Sequence, residues 1–136
     1  MTKLSPNLSF ITLGVKDLSI SRKFYIKMGL CEYKSNNKTI VLFKMNHQIL
    51  ALCPIDLLAK DIGVEESSLS EVNTILSQNV SQKEDIHILL NKANKLGGKI
   101  VRAASEPYWG GMRGYLSDPD GHIWEIVWNP KFKFNK

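Results

Sequence analysis

"YLSDPDGHIWEIVWNP", Tyr115 to Pro130, is the stretch whose reading decides the fold. It reads as a strand, a tight turn and a second strand. Pro119 presets φ in the turn and Gly121 supplies a positive φ, so Asp118, Pro119, Asp120 and Gly121 are structural residues. After the turn the side chains alternate. Ile123, Glu125 and Val127 share one face, and Trp124, Ile126 and Trp128 share the other. The tryptophan face is expected to meet helices as core. That leaves Glu125 as a single carboxylate inside an apolar strand. Its candidate roles are metal ligand, general base, polar anchor for a ligand, or an ordinary solvated or paired side chain.

Working back from this hairpin, "MRGYLS" (112–117) and "KIVRAA" (99–104) read as strands on either side of the loop "SEPYWGG" (105–111). Before them, "SQKEDIHILLNKANKLGG" (81–98) carries Ile86, Leu89, Leu90, Ala93 and Leu96 at helical spacing. Ser81 and Glu84 have the spacing of a capping box, and Gly97 or Gly98 supplies the left-handed stop. "NTILSQNV" (73–80) is a further alternating strand. The second half is therefore strand, helix and three strands.

The first half repeats that order. Leu8 to Val15 alternates as a strand. Asp17 caps a helix whose inner face is Leu18, Ser21, Phe24, Tyr25 and Met28, and Gly29 stops it. Strands follow around Glu32–Lys34, Thr39–Lys44 and Gln48–Cys53, separated by the polar turns "SNN" and "NH". The connector "IDLLAKDIGVEESSLSEV" (55–72) starts with a helical turn and continues as a polar link, expected to be exposed and mobile. The reading is one domain over 6–130, with modules at about 6–60 and 72–130 and a linker at about 61–71. A repeated unit of this size does not bury its sheet face alone. Two side by side give an α+β fold: tandem βαβββ modules forming a curved mixed sheet, helices on the outer face, the other face open for a pocket.

Composition narrows the classes. The 136 residues, 43% of them hydrophobic, suit one globular domain. No apolar run approaches the roughly 20 residues of a membrane span, and "MTKLSPNLSF" lacks a signal-peptide core, so a soluble cytoplasmic protein is expected. Cys31 and Cys53 are far apart and read as reduced thiols. The net charge of +5 comes from scattered lysines, the densest group being the tail "NPKFKFNK". No basic stripe is interleaved with aromatics, so no nucleic-acid partner is expected.

Two motifs carry a resemblance. "GVKDLSISRKFYIKMGL" resembles the strand-helix signature, and "GYLSDPDGHIWEIVWNP" the C-terminal signature, of the vicinal oxygen chelate superfamily, also called the glyoxalase/bleomycin-resistance/dioxygenase family. The resemblance covers about Leu8 to Pro130. It implies the glyoxalase/bleomycin-resistance fold and commonly a homodimer. In metal-dependent members, four positions on the open sheet face hold a divalent ion. Offsets from the signatures place those positions at Phe10, Leu50, Ile75 and Glu125. Only the last can ligate, whereas catalytic metal sites keep about three protein ligands. The resemblance therefore implies a chain without the family's metal and without a cofactor.

The expected site is a cavity with Phe10, Leu50 and Ile75 as floor and Glu125 as polar anchor and tentative catalytic group. Thr12, Ser77 and Asn79 share strand faces with Phe10 and Ile75 and are positioned to orient a ligand. Trp109, on a glycine-hinged loop, is expected as a lid. Arg113 beside that loop is either solvated or meets an anionic ligand, and Tyr115 reaches the cavity if the strand phase allows. His47, His87 and His122 are expected at the surface or in turns. Three functions stay open: a protein binding a small organic molecule, a metal-dependent glyoxalase-like lyase or dioxygenase, and an interaction module with a vestigial cavity.

Overall fold

The computed structural model describes residues 3–34, 37–71 and 73–131. The first module runs β1 (Phe10–Val15), α1 (Leu18–Met28), β2 (Glu32–Tyr33), β3 (Val41–Lys44) and β4 (Ile49–Pro54). After α2 (Ile55–Ile62) and a 3₁₀ turn (Glu66–Leu69), the second module runs β5 (Ile75–Asn79), α3 (Glu84–Lys95), β6 (Lys99–Ser105), β7 (Met112–Ser117) and β8 (Ile123–Trp128). The strand order is β1-β4-β3-β2 in one sheet and β5-β8-β7-β6 in the other. In each, the first and last strands of the module pair in parallel and the rest antiparallel. The tandem βαβββ α+β architecture is the one expected.

Local chemistry sets the helix ends. The Asp17 carboxylate accepts the Ile20 N–H at 3.0 Å and opens α1. Gly29, at φ 117°, closes it with a left-handed residue. The expected capping box on α3 does not form. The helix begins at Glu84, and the residue preceding it, Lys83, has helical dihedrals and makes no side-chain cap bond. A tight turn supplies the first bonds instead, with Asp85 N–H to the Gln82 carbonyl and Ile86 N–H to the Lys83 carbonyl. Glu84 and Asp85 in the first turn still complement the helix dipole.

The connector is more ordered than expected. Its first half is the eight-residue α2, and its second half contains the 3₁₀ turn, with Leu69 half-buried. The expected boundary at residue 72, residues 35–36 of the "SNN" turn and the tail from 132 lie outside the described residues. Among the described residues no helix is long and apolar enough to cross a membrane.

One hydrophobic core joins the modules on their helix sides. Leu13, Phe43, Leu50 and Leu52 of the first sheet, Phe24 and Tyr25 of α1, Ile86 and Leu90 of α3, and Leu116, Trp124 and Ile126 of the second sheet form a single cluster. The Asp118–Gly121 turn is structural, as expected, and it also reaches across to the first module. Its own Asp118 Oδ1 accepts the N–H groups of Asp120 and His122, both at 2.9 Å. Asp118 Oδ2 accepts the Tyr25 hydroxyl at 2.6 Å, and Trp124 Nε1 donates to that hydroxyl oxygen at 3.1 Å. Asp120 accepts the Lys16 N–H at 2.8 Å and the Ser21 hydroxyl at 2.5 Å. His122, expected in the turn, is half-buried, and its Nε2 donates to the Gly14 carbonyl at 2.7 Å. Each of these buried or half-buried polar groups thereby has a partner.

Candidate functional site

Strand register decides which side chains face away from the core. In the first sheet Ile11 lies opposite Leu50 and Leu13 opposite Leu52, all on the helix side, while Phe10 lies opposite Ile49 and Thr12 opposite Ala51 on the open side. Phe10 is 52% exposed and Leu50 only 1%. The expectation that Leu50 floors the cavity is therefore corrected. It sits in the core cluster, and its neighbour Ala51, also buried but outside that cluster, borders the cleft beside Thr12. A one-residue shift in a strand moves a side chain to the opposite face.

The open face of the first sheet forms a cleft of about 580 Å³. Phe10, Thr12, Leu42, Ala51 and Cys53 contribute from the sheet, and Leu57, Leu58 and Asp61 of α2 form a wall. The helix sits this close because Gly14 has no side chain. A Cβ there would lie 3.1 Å from Ile55 Cγ1 and 3.3 Å from Leu58 Cδ2. The Cys53 thiol is pushed up from its ordinary value by burial and then by the charges of Asp61 and Asp56, which leaves it protonated and a poor nucleophile. Sequence reasoning missed Ala51, Cys53 and the α2 wall. The spacing of Leu57, Leu58 and Asp61 on one short helix was the available signal.

A second cavity, about 420 Å³, lies along the seam between the modules. Thr12, which also lines the first cleft, faces Leu76, Ile123, Asp120 and His122 there. Thr12 therefore connects the cleft to the seam, and Ile123 connects the seam to the open face of the second sheet.

That face carries the polar residues. Ser77 lies opposite Glu125 on β5, Tyr115 opposite Glu125 on β7, and Arg102 opposite Tyr115 on β6, so four strands contribute one row. The Ser77 hydroxyl donates to Glu125 Oε1 at 2.8 Å and the Tyr115 hydroxyl to Oε2 at 3.2 Å. Glu125 is half-buried with one donor on each oxygen, and a carboxylate keeps further lone pairs for a ligand donor. In adjacent rows Asn79 lies opposite Val127, Arg113 opposite Val127 and Ser105, and Ile75 opposite Ile123. The guanidinium of Arg113 lies 5.8 Å from the Tyr115 ring centroid and donates to Ser105 Oγ at 2.6 Å. Strand phase thus puts Tyr115, Arg113, Ser77, Ile75 and Glu125 on one face. Trp109 is placed differently from the expected lid. It is half-buried, its ring approaches within 2.8 Å of where a Gly111 Cβ would stand, and it lines neither the cleft nor the seam. Tyr108 next to it is fully exposed.

The donor set does not fit the family's divalent ion. Among the described residues, no group of three or more His, Cys, Asp or Glu side chains could hold a metal. Glu125 has a serine and a tyrosine as neighbours, and both already donate to it. His47 and His87 are exposed, and His122 is committed to Gly14.

Comparison with known proteins identifies the family and the fold. The sequence model of the Glyoxalase/Bleomycin resistance protein/Dioxygenase superfamily matches residues 7–126. A glyoxalase-related enzyme from Fulvimarina pelagi is 34% identical, superposes with a TM-score of 0.88, and the alignment covers 96% of this chain and 94% of that one. A lactoylglutathione lyase from Agrobacterium tumefaciens shares the fold at a TM-score of 0.69 with 16% identity, over 97% of this chain and 100% of the other. A tRNA (guanine-N(1)-)-methyltransferase from Chlamydia abortus is 28% identical over 118 residues, which is 87% of this chain but 29% of that protein. The likeness there is to part of a much longer chain.

Proposed function

The chain belongs to the Glyoxalase/Bleomycin resistance protein/Dioxygenase superfamily, and on that premise we propose that it binds a small, partly apolar organic molecule on its open sheet face without the family's metal ion. The observation that carries this reading is the continuity of the face. A cleft of about 580 Å³, floored by Phe10, Ala51 and Leu42, meets the seam cavity at Thr12, and the seam ends at Ile123, beside the Ser77–Glu125–Tyr115 row. Ligand sites are concave, mostly apolar and supplied with a few placed polar groups, at about 300–1,000 Å³. Glu125 is the polar anchor, with Ser77 and Tyr115 orienting it. Phe10 and Ile75, both exposed on the open side, are the apolar contacts. A homodimer, which the family resemblance implies, is part of the same proposal.

The one-carboxylate donor set supports binding over metal-dependent lyase or dioxygenase chemistry, which needs about three protein ligands. The test is elemental analysis of the purified chain, followed by calorimetric titration with Zn, Ni, Mn and Fe(II) and a small-molecule screen by thermal shift. The expected result is no stoichiometric metal and stabilisation by organic ligands that is lost in Ala51→Trp, which fills the cleft. One equivalent of metal that disappears in Glu125→Ala would overturn the proposal.

A further inference from the structure

The charges on the second sheet's open face point to a property of the ligand itself. Arg113, Arg102 and Lys99 all stand on the same face as Glu125, because they lie opposite Val127 and Ser105, Tyr115, and Ser117 respectively. Glu125 spends one lone pair on each oxygen on neutral donors, Ser77 and Tyr115. Among the described residues the single ion pair is Arg22–Glu32, on the first module. The three cations of this face therefore have no carboxylate within bonding distance. Arg113 is the best placed of them. It is half-buried, and its guanidinium lies within cation–π reach of the Tyr115 ring, 5.8 Å from the centroid. Its partners are neutral, Ser105 Oγ at 2.6 Å and the Ser105 carbonyl at 3.5 Å, both through one nitrogen. A guanidinium has five N–H donors in a fixed fork suited to an oxyanion. Here most of the fork is unused, on β7, an inner strand of its sheet.

We propose that the molecule bound on this face carries an oxyanion, a carboxylate or a phosphate-type group, seated on Arg113 and Arg102, with its apolar part directed along the face toward Ile75 and Phe10. The proposal rests on the reading of the open face as a ligand site and specifies the ligand's chemical class. Arg102 reaches the same row through the irregular register of β6, where the pairing shifts on either side of it. Tyr115 stands between Arg102 and Glu125 in the row and donates to Glu125 Oε2, while Arg113 lies two residues along the same strand, opposite Val127.

The test uses three probes of similar shape: phenylacetate, phenylphosphonate and the neutral phenylacetamide. Each is titrated calorimetrically into the intact protein and into Arg113→Gln and Arg102→Gln. A charge-assisted contact predicts that at least one acid binds about tenfold or more tighter than the amide, and that the preference falls by about tenfold in either variant. Arg102 is exposed, so its variant reads out even if Arg113→Gln folds poorly. The two acids distinguish a carboxylate seat from a phosphate-type one. If the amide binds as well as both acids, or if the acid preference survives both variants, the oxyanion assignment is overturned while the small-molecule site stands. If none of the three binds at millimolar concentration, and the thermal-shift screen also finds no organic ligand, the open-face site falls with it.

Discussion

Tyr25 and Asp118 are 93 positions apart, and the tyrosine hydroxyl donates to the aspartate at 2.6 Å in the buried core. One residue is on the first helix and the other opens the turn of the last hairpin. Trp124 donates to the same hydroxyl oxygen, so this one oxygen serves a donor and an acceptor from the second module at once.

Removing that oxygen strands both partners. In Tyr25→Phe, Asp118 Oδ2 and Trp124 Nε1 remain buried without their bonds. The expected loss of unfolding free energy is about 1–3 kcal/mol, measured by urea denaturation. A change below a few tenths would mean that water enters and replaces the hydroxyl.

The same pair gives the stability curve its pH dependence. Burial raises Asp118 above its ordinary 3.8, against the opposing hydrogen bond from Tyr25 and the nearby His122. The folded state thus holds the proton at pH values where the unfolded chain has released it. Stability from this group is present at acid pH and is lost as pH rises from near 3.8 through the raised folded value. Tyr25 is pushed well above 10.0, chiefly by burial and then by Asp118. Its contribution falls as pH climbs past 10.0, where the unfolded chain ionises first. Denaturation of wild type against Asp118→Asn should show a difference that changes across the acid window and then levels off. The alkaline slope should flatten in Tyr25→Phe. Parallel curves for all three proteins would refute the assignment.

Gly98 follows α3 with a different constraint from its neighbour. Gly97 is in the left-handed region at φ 103° with open space around it. A Cβ on Gly98 would lie 2.3 Å from the Ser117 carbonyl oxygen, a backbone atom, and 3.1 Å from Phe24 of the other module. Gly98→Ala must therefore shift β7 or the helix end, at about 1–3 kcal/mol or more. Gly97→Ala bears only the left-handed penalty of about 1–2 kcal/mol. The Tm of Gly98→Ala should be the lower of the two, and the reverse order would sink the packing argument.

Leu50 and Ala51 are neighbours with opposite duties. Leu50→Ala empties core volume and should cost about 2–5 kcal/mol. Ala51→Leu projects toward the cleft from a buried position, 3% exposed, and should cost less than Leu50→Ala, about 1–3 kcal/mol, with a marked loss of ligand affinity. Paired denaturation and calorimetry would separate the effects. A larger loss for Ala51→Leu than for Leu50→Ala would mean that the strand phase is reversed.

The sequence by itself determined the two repeated modules, the α1 cap at Asp17, the turn at Asp118–Gly121 and the face of Glu125. Each depends on contacts within a few residues or on a side-chain period that is visible in the chain. In "HIWEIVWN" the lone acid breaks an apolar run, so its phase can be read. In "ILALCP" every residue is apolar, no alternation marks the inner side, and alignment with the other module placed Leu50 on the wrong face. Only the tertiary structure decided that register, by pairing Thr12 with Ala51. It also decided the position of Arg102, because the shifted pairing of β6 hides its phase, and the bond between Tyr25 and Asp118, because no local pattern links residues brought together by packing two modules on one core.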